Sequence, residues 1–228
     1  MTTREKIINT ARTLFYSGGY QATSIQEIID AVDIARGTFY HHFQSKEELL
    51  EELVGQESSG TRDFLQKIVD QPQWNAVEKL NQFFLQLNSW KAEQPGLMLA
   101  TFEALFKRDN LILREKIVQE STRRIAPLLE HILEQGREEG LFSLSDPAYT
   151  AELIFTLGSG LSRLLAEHFL QLDRGEGQED RGLKLVMAYQ EAIARILGVR
   201  EGEVQLIDGE DLRQLQEAIL NKKGGQEK

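Results

Sequence analysis

Residues 23–50 read TSIQEIIDAVDIARGTFYHHFQSKEELL, and this stretch decides the fold of the 228-residue chain. Ser24 with Glu27 has the spacing of a capping box, and so has Ser45 with Glu48. The stretch therefore predicts two short helices at a tight turn, followed by a third, capped helix. Two short helices joined by a turn of about 3 to 4 residues are the unit that places a recognition helix in the major groove of DNA.

Composition restricts the class of protein. The chain is 41% hydrophobic and 27% charged, which is typical of a folded globular protein of one or two domains. It contains no cysteine, which excludes disulfides, thiolate zinc sites and cysteine nucleophiles. No apolar run approaches the ~18 residues of a membrane span, and the N-terminal MTTREK has no apolar signal segment. The expected location is the cytoplasm, with no membrane contact.

The formal net charge of −10 gives no indication of nucleic-acid binding. Residues 1–50 hold five basic and six acidic side chains, or −1, and the remaining 178 residues carry −9. Neither part is basic overall, so charge alone does not indicate DNA as the partner. One face can still be positive if the carboxylates point away from it.

An apolar period of 3.6 residues predicts helices through almost the whole chain. The first helix is predicted to begin with a capping box of Thr2 and Glu5 and to end at Gly18-Gly19, and the fourth is predicted to run toward Val69. Further helices are predicted near residues 75–92, 97–107, 111–139, 147–172, 181–198 and 209–221. A short extended piece is predicted at 203–207, and no alternating run is long enough to build a sheet. The expected fold is all-α, with a helix-turn-helix domain at 1–50, a helical domain at 51–200, and a C-terminal extension at 201–228 with one short helix and a frayed tail.

The helix-turn-helix segment resembles the N-terminal DNA-binding domain of the tetracycline-repressor (TetR) family, over roughly residues 4–53. The matching pieces are, in order, Gly37-Thr38-Phe39-Tyr40, His42-Phe43 and Lys46-Glu47-Glu48-Leu49. Beyond them, the segment that leads into the last two long helices of the family is matched at Gly136, Gly140, Phe142 and Asp146-Pro147. The resemblance implies a ligand-responsive transcriptional regulator, most often a repressor. Its implied partners are double-stranded DNA, a second copy of the chain and an unknown small-molecule effector bound by the helical domain.

The third helix of the chain, predicted from Arg36 to Phe43, is predicted to contact DNA. Gly37 has no side chain, so the helix backbone can approach the phosphates closely. Arg36, Thr38 and His41 are predicted to project toward the groove, where Arg36 suits a bidentate contact to guanine. Phosphate contacts are predicted for four further side chains: Ser24, Tyr40, His42 and Lys46. The aromatic residues between them, Phe39 and Phe43, are predicted to be core.

The turn departs from the family pattern at two places. Where the family usually has Ala-Gly, this chain has Val32-Asp33, and Asp adopts left-handed backbone less readily than Gly. Ala35 replaces the Ser or Thr that usually caps the third helix, which removes a cap worth ~1 kcal/mol. The fold is expected to survive both changes.

Apolar residues on the later helices have two interpretations each. Ordinary core is the commoner role of large residues at helical spacing, but the resemblance implies that some line an effector cavity; the candidates are Phe64, Phe83, Trp90, Met98, Phe102 and Phe106. Small residues at 158–162 indicate close helix approach, either within the subunit or between two subunits. The resemblance favours a dimer seam, for which the predicted residues are Gly158, Gly160, Leu161, Leu164, Val186, Ala188 and Ile193.

Other classes of site are not supported. His41 and His42 are adjacent, so on a helix they face directions ~100° apart and cannot share a metal. His131 and His168 are predicted to be surface or hydrogen-bonded histidines. No predicted strand precedes Gly158-Ser159-Gly160 or Gly175-Glu176-Gly177, so neither segment is a nucleotide-binding loop. We expect no catalytic residue, metal or cofactor. Two alternatives stay open: an all-α binding or adaptor protein with weakened DNA affinity, and a small helical enzyme.

Overall fold

The structure is a computed structural model that describes residues 1–93, 95–106, 108–200 and 202–224. The elements, in chain order, are α1 Thr3–Gly18, α2 Ile25–Val32, α3 Arg36–His42, α4 Lys46–Val69, α5 Ala76–Glu93, α6 Pro95–Leu105, a 3₁₀ turn Arg108–Asn110, α7 Leu111–Glu138, α8 Pro147–Arg174, α9 Arg181–Leu197 and α10 Gly209–Gly224. The predicted all-α fold is confirmed, and within the described ranges the segment 203–207 forms no strand. None of the described helices is both long and apolar enough to cross a bilayer. The side chains of Trp90 and Met98, two predicted cavity residues, lie outside the described part of the chain.

The chain divides into two compact units. The first comprises Met1–Gly60 and Ala100–Ser121, and the second comprises Thr61–Leu99 and Thr122–Lys228. The first unit therefore contains more than the predicted 1–50 domain, because the end of α6, the 3₁₀ turn and the start of α7 belong to it. Its core is built from buried residues of α1 to α4, of the connections between them and of α7: Ile7, Ile8, Ala11, Phe15, Tyr20, Ile28, Ile29, Phe39, Phe43, Leu49, Leu50, Leu53, Val54 and Leu113.

Helix α1 begins and ends where the sequence predicts. The Thr2 hydroxyl accepts from the N–H of Glu5 at 3.2 Å, and the Glu5 carboxylate accepts from the N–H of Thr2 at 2.7 Å. The helix ends at Gly18, and Gly19 has a φ of 101°, in the region that favours glycine. A Cβ built on Gly19 would lie 2.9 Å from the Cβ of Asp109. The end of α1 therefore packs closely against the 3₁₀ turn.

The connection from α7 to α8 uses the residues that the sequence marks. A Cβ built on Gly136 would lie 2.0 Å from Cδ2 of Phe142, so the aromatic ring occupies the space that a side chain would need. Asp146 then caps α8 by accepting from the N–H of Tyr149 at 3.0 Å, and Pro147 is the first residue of that helix. These contacts fix the start of α8 on the end of α7.

The C-terminal extension is folded onto the second unit. The side-chain amide of Asn81 donates to the carbonyl of Glu203 at 3.0 Å and accepts from the N–H of Gln205 at 2.8 Å. Helix α10 packs against α5, α8 and α9. Its inward apolar residues are Leu212, Leu215 and Ile219. The extension is thus part of the core of this unit.

His168 differs from its prediction as a surface or hydrogen-bonded histidine. Its side chain is fully buried, and in the described part of the chain neither ring nitrogen has a partner at good hydrogen-bond geometry, although the side chain of Gln216 lies near enough to act as a weak one. The ring lies against Gly182, where an added Cβ would come within 2.9 Å of Cδ2 and Nε2. Burial lowers the pKa of His168, and nearby Arg181 lowers it further, whereas Gln216 and Asp180 act in the opposite direction. A neutral imidazole therefore packs at the junction of α8, α9 and α10.

Candidate nucleic-acid interface

Helix α2 begins at Ser24 with a complete capping box. The Ser24 hydroxyl oxygen accepts from the N–H of Glu27 at 3.1 Å, and the Glu27 carboxylate accepts from the N–H of Ser24 at 2.7 Å. The hydroxyl proton of Ser24 stays available to donate, and the side chain is exposed. The inner face of α2 is formed by Ile28 and Ile29, which are buried. Ser24 therefore lies at the surface, at the start of a helix whose inner face is packed in the core.

The turn between α2 and α3 contains a left-handed residue, although Asp33 and Ala35 are unusual at their positions. Asp33 adopts φ 57° and ψ 57°, the left-handed conformation, and its N–H donates to the carbonyl of Asp30 at 3.3 Å. The N–H of Ile34 donates to the carbonyl of Ile29 at 3.3 Å, which closes the end of α2. Ala35 makes no side-chain cap, and α3 begins without one. Asp33 thus performs the conformational role for which glycine is the usual residue.

Helix α3 is anchored by two aromatic side chains. Phe39 is fully buried, and Phe43, just beyond the helix, is 1% exposed. Their ring centroids lie 6.1 Å apart. The guanidinium of Arg4 in α1 lies 5.1 Å from the centroid of Phe43 and pairs with Glu52 of α4 at 3.0 Å. Both aromatic residues are therefore core, as the sequence predicts, and they hold α3 on α1 and α4.

The opposite face of α3 carries the predicted DNA contacts. The predicted DNA-contact residues of this helix are either exposed (Arg36, Gly37, Tyr40 and His41) or half-buried (Thr38 and His42). The Arg36 guanidinium lies 5.7 Å from the centroid of the Tyr40 ring. A Cβ built on Gly37 would meet no atom within 4 Å. Among the described residues no packing contact requires glycine at position 37, so the space beside it is open to a partner from outside.

Lys46, for which the sequence predicts a phosphate contact, binds groups of the protein itself. Its ammonium donates to the carbonyls of Tyr20 at 2.8 Å, Thr23 at 2.9 Å and Gln21 at 3.4 Å. It also lies 4.5 Å from the centroid of the Tyr20 ring. An ammonium has three N–H groups, so a phosphate contact by this side chain requires that at least one of these bonds break. In this structure Lys46 binds the loop between α1 and α2.

The predicted dimer residues fall into two groups. Leu161, Val186 and Ile193 are buried inside the subunit, so their side chains are core and offer no surface to a second copy. Gly158 also faces inward, because a Cβ built on it would lie 3.1 Å from the hydroxyl of Tyr189. The others are half-buried or exposed: Gly160, Leu164 and Ala188.

An exposed apolar strip on α8 and α9 is the surface feature that sequence reasoning missed. On α8, Tyr149 is 68% exposed, Leu153 58% and Leu157 43%, and on α9, Met187 is 58% exposed. The three residues of α8 follow one another at a spacing of four, which places them on one face of the helix. That spacing is visible in the sequence, but the buried face of the same helix is equally apolar. The pattern alone therefore does not show which face is exposed.

The predicted cavity residues have different environments. Phe83 is fully buried and its ring lies 5.4 Å from that of Phe84. Phe102 is buried and contacts Phe106, with 6.5 Å between ring centroids. Phe64 is 47% exposed, so it is not a residue of a closed core. The structure brings Phe102 and Phe106 together and leaves Phe64 at the surface.

Family comparisons match both parts of the chain. The family described as bacterial regulatory proteins, tetR family, matches residues 7–53, and the tetracyclin repressor-like C-terminal domain matches residues 102–191. Helix α10 lies outside both matches. The first match covers α2, the turn and α3, whose geometry is described above.

Individual relatives agree with the family matches. The chain is 31% identical over 132 residues to the HTH-type transcriptional repressor KstR2 of Mycolicibacterium smegmatis, which covers 55% of this chain and 52% of that protein. It is 30% identical over 159 residues to KstR2 of Mycobacterium tuberculosis, covering 61% of this chain and 68% of that protein. The chain thus spans about half of the first relative and two thirds of the second.

A solved structure shares the fold. The FadR repressor of Thermus thermophilus, crystallised in complex with lauroyl-CoA, superposes with a TM-score of 0.57 at 23% identity. The superposition covers 87% of this chain and 97% of that protein.

Proposed function

Since the chain belongs to the TetR family of bacterial regulators, we propose that it is a homodimeric transcriptional repressor. It binds a palindromic operator through two copies of α3 and releases it when a small-molecule effector binds. The proposed base contacts are Arg36, Thr38 and His41, and the proposed phosphate contacts are Ser24, Tyr40 and His42. Gly37 allows the close approach of α3 to the phosphates.

The observation that carries this proposal is the division of α3 into two faces. Phe39 is fully buried on the inner face, while Arg36, Tyr40 and His41 are exposed on the outer face. A short helix with a locked inner face presents these side chains in fixed positions, which direct readout of base edges requires. The left-handed Asp33 retains the turn, which weighs against a chain whose turn has degenerated.

The apolar strip on α8 and α9 supports a second copy as partner. Tyr149, Leu153 and Leu157 expose apolar side chains along one face of α8, and Met187 exposes one on α9, which packs against α8. An exposed apolar patch of this kind marks a protein interface more often than a free surface. In a symmetric dimer the two recognition helices would need to lie about 34–36 Å apart, which is one turn of DNA.

The dimer has a direct test. Leu153→Glu should place a charge in the strip and convert the dimer to monomers, measured by sedimentation. Leu141→Glu is the matched control, because Leu141 is 41% exposed in the connection before α8 and lies outside the strip. A Leu153→Glu variant that stays dimeric with unchanged helicity would contradict this interface.

The effector proposal starts from the structural neighbour that holds lauroyl-CoA. Lauroyl-CoA is therefore the first probe, followed by other acyl thioesters and small apolar acids. An effector that moves a two-state equilibrium from 1:99 to 99:1 must bind the released state more tightly by about 5.5 kcal/mol. A rise in melting temperature combined with release of DNA would identify such a ligand.

DNA binding is tested with duplexes selected from a random pool by the purified chain. We expect a palindromic consensus and an affinity that falls steeply with salt, with a slope of about −0.9 per phosphate contact. Absence of enrichment, or binding that does not depend on salt, would favour the all-α binding or adaptor protein instead.

A further inference from the structure

The α1–α2 loop, residues 19–23, is held from the α4 side by Lys46 and Glu47. The Lys46 ammonium donates to three carbonyls of the loop, as described above. The hydroxyl of Tyr20 donates to the Glu47 carboxylate at 3.2 Å. The loop also closes on itself, because the Thr23 hydroxyl and N–H both donate to the carbonyl of Gly19, at 2.8 and 3.0 Å. It ends directly before Ser24, the cap of α2.

The same loop is held from the other side by the 3₁₀ turn between α6 and α7. Asn110 is fully buried, and its Oδ1 accepts from the N–H of Tyr20 at 2.6 Å. Its Nδ2 donates to the carbonyl of Phe15 at 3.0 Å and to the carbonyl of Ala104 at 2.9 Å. The N–H of Gln21 donates to the carbonyl of Asp109 at 3.1 Å. One buried amide therefore connects the end of α1, the α1–α2 loop and the end of α6.

We propose that Asn110 is a positioning residue for operator binding, which sets the α1–α2 loop and through it Ser24 and Lys46. This inference rests on the proposed function. Asn110 lies in the turn at 108–110, and its side chain bonds to the backbone of Tyr20, Phe15 and Ala104. Its effect on DNA passes through the backbone of residues 20 and 21, which is also the backbone that Lys46 binds.

The chemistry of the amide explains why this position is sensitive. Both N–H groups and the oxygen of Asn110 are used, and each partner is a backbone group. Removal of the amide leaves the N–H of Tyr20 and the carbonyl of Ala104 without this partner, which is unfavourable for buried groups. The carbonyl of Phe15 keeps the bond from the N–H of Gly19 at 3.1 Å. The loop thus loses the bond to Asn110 but keeps the bond from Gln21 to Asp109, while α1 keeps its own terminus.

The connection works in both directions. A displacement of the end of α6 or the start of α7 reaches Tyr20 through Asn110. By thermodynamic reciprocity, DNA bound at α2 and α3 must in turn alter the stability of the bonds at residues 104–111. This second direction is measurable without knowing the effector, because the duplex itself is the ligand.

The test uses the full-length chain and the duplex selected from a random pool. Hydrogen exchange of the wild type is measured with and without duplex. We expect duplex to slow exchange in peptides covering 15–23 and also in peptides covering 104–111. Asn110→Ala should weaken duplex affinity by about tenfold, with an unchanged salt slope, and should abolish the response at 104–111.

Asn81→Ala is the matched control, because Asn81 also uses its amide to bond the backbone of a connecting segment, but in the second unit. It should lower the melting temperature without changing duplex affinity. An Asn110→Ala variant that is folded and binds duplex as the wild type does would overturn the inference. Hydrogen exchange at 104–111 that is the same in the wild type with and without duplex would also overturn the inference. This result does not depend on whether the variant folds. A wild type that binds no duplex would refute the proposed function and the inference with it.

Discussion

The guanidinium of Arg36 rests on the ring of Tyr40, with 5.7 Å between Cζ and the ring centroid. The two residues are four apart on α3, so they lie on the same exposed face. A cation over an aromatic face is held by an attraction of about 0.5–1 kcal/mol at an exposed site. The charge that is proposed to read a base is thus already partly ordered before DNA arrives.

Arg36→Ala should weaken operator binding by about 1–3 kcal/mol and relax the preference for one base pair, because a bidentate contact to guanine is lost. Competition between duplexes that differ at single positions measures both effects. Sedimentation should show an unchanged dimer. Loss of the dimer in this variant would make Arg36 a structural residue.

Tyr40→Phe separates the two roles of Tyr40. The ring under Arg36 is kept, so base preference should be unchanged, whereas loss of the hydroxyl should weaken binding to all duplexes equally. Tyr40→Ala should change both affinity and preference. Equal behaviour of the two variants in the competition assay would contradict a role for the ring.

Gly37→Ala should make the protein more stable and the DNA complex weaker. Alanine favours a helix over glycine by about 0.5–1 kcal/mol, and the added Cβ meets no protein atom within 4 Å. The same Cβ points to the side from which DNA is proposed to approach. Urea unfolding and duplex affinity measure the two effects. Gly60→Ala in α4 is the control, because it also adds a Cβ in open space and should leave affinity unchanged.

Lys46→Met distinguishes a loop contact from a phosphate contact. The structure has the ammonium on three loop carbonyls, so we expect lower affinity with an unchanged slope of log affinity against log salt. A phosphate contact by Lys46 would instead reduce that slope by about 0.9. Titrations at four salt concentrations decide between these outcomes.

Gly136→Ala should destabilise the protein by about 1–3 kcal/mol, the range typical of an overpacked core. The added Cβ would lie 2.0 Å from Cδ2 of Phe142, so the ring must move. Urea unfolding gives the change in the free energy of unfolding. A neutral result would mean that the connection before α8 adapts freely, and Gly60→Ala again provides the comparison.

His168 should make stability depend on pH. Its pKa is lowered in the folded protein by burial and by Arg181, so the unfolded chain binds the proton more readily. The stabilisation is therefore complete above the ordinary value of 6.5 and is lost as pH falls below it. His168→Leu should flatten the dependence of the unfolding free energy between pH 7.5 and about 5.5, across the ordinary titration range. His131→Leu, at an exposed position, should leave the wild-type dependence in place.

Local patterns determined the helices and the faces of α3. The capping boxes at Thr2 and Ser24 fixed helix starts, because their hydrogen bonds join residues three apart in the sequence. The aromatic spacing placed Phe39 inside and Tyr40 outside, because the helical period alone assigns the faces. The backbone of Asp33 was left open by the sequence, because Asp adopts the left-handed conformation less readily than Gly, and the structure shows that conformation.

Contacts between distant residues were decided by the tertiary structure. Lys46 is a cation at a helix start, which favours a phosphate, yet its ammonium is bound by carbonyls more than twenty residues earlier. Val186 and Ile193 are apolar residues of a helix with two apolar sides, and only packing shows that they face inward. Asn110 looks like an ordinary break between helices until its amide is seen among three backbone groups. The sequence by itself determined the family, the helices and the exposed side of α3, because these depend on neighbours within one or two turns. Which polar groups meet across the fold depends on how the helices pack, and no local period encodes that.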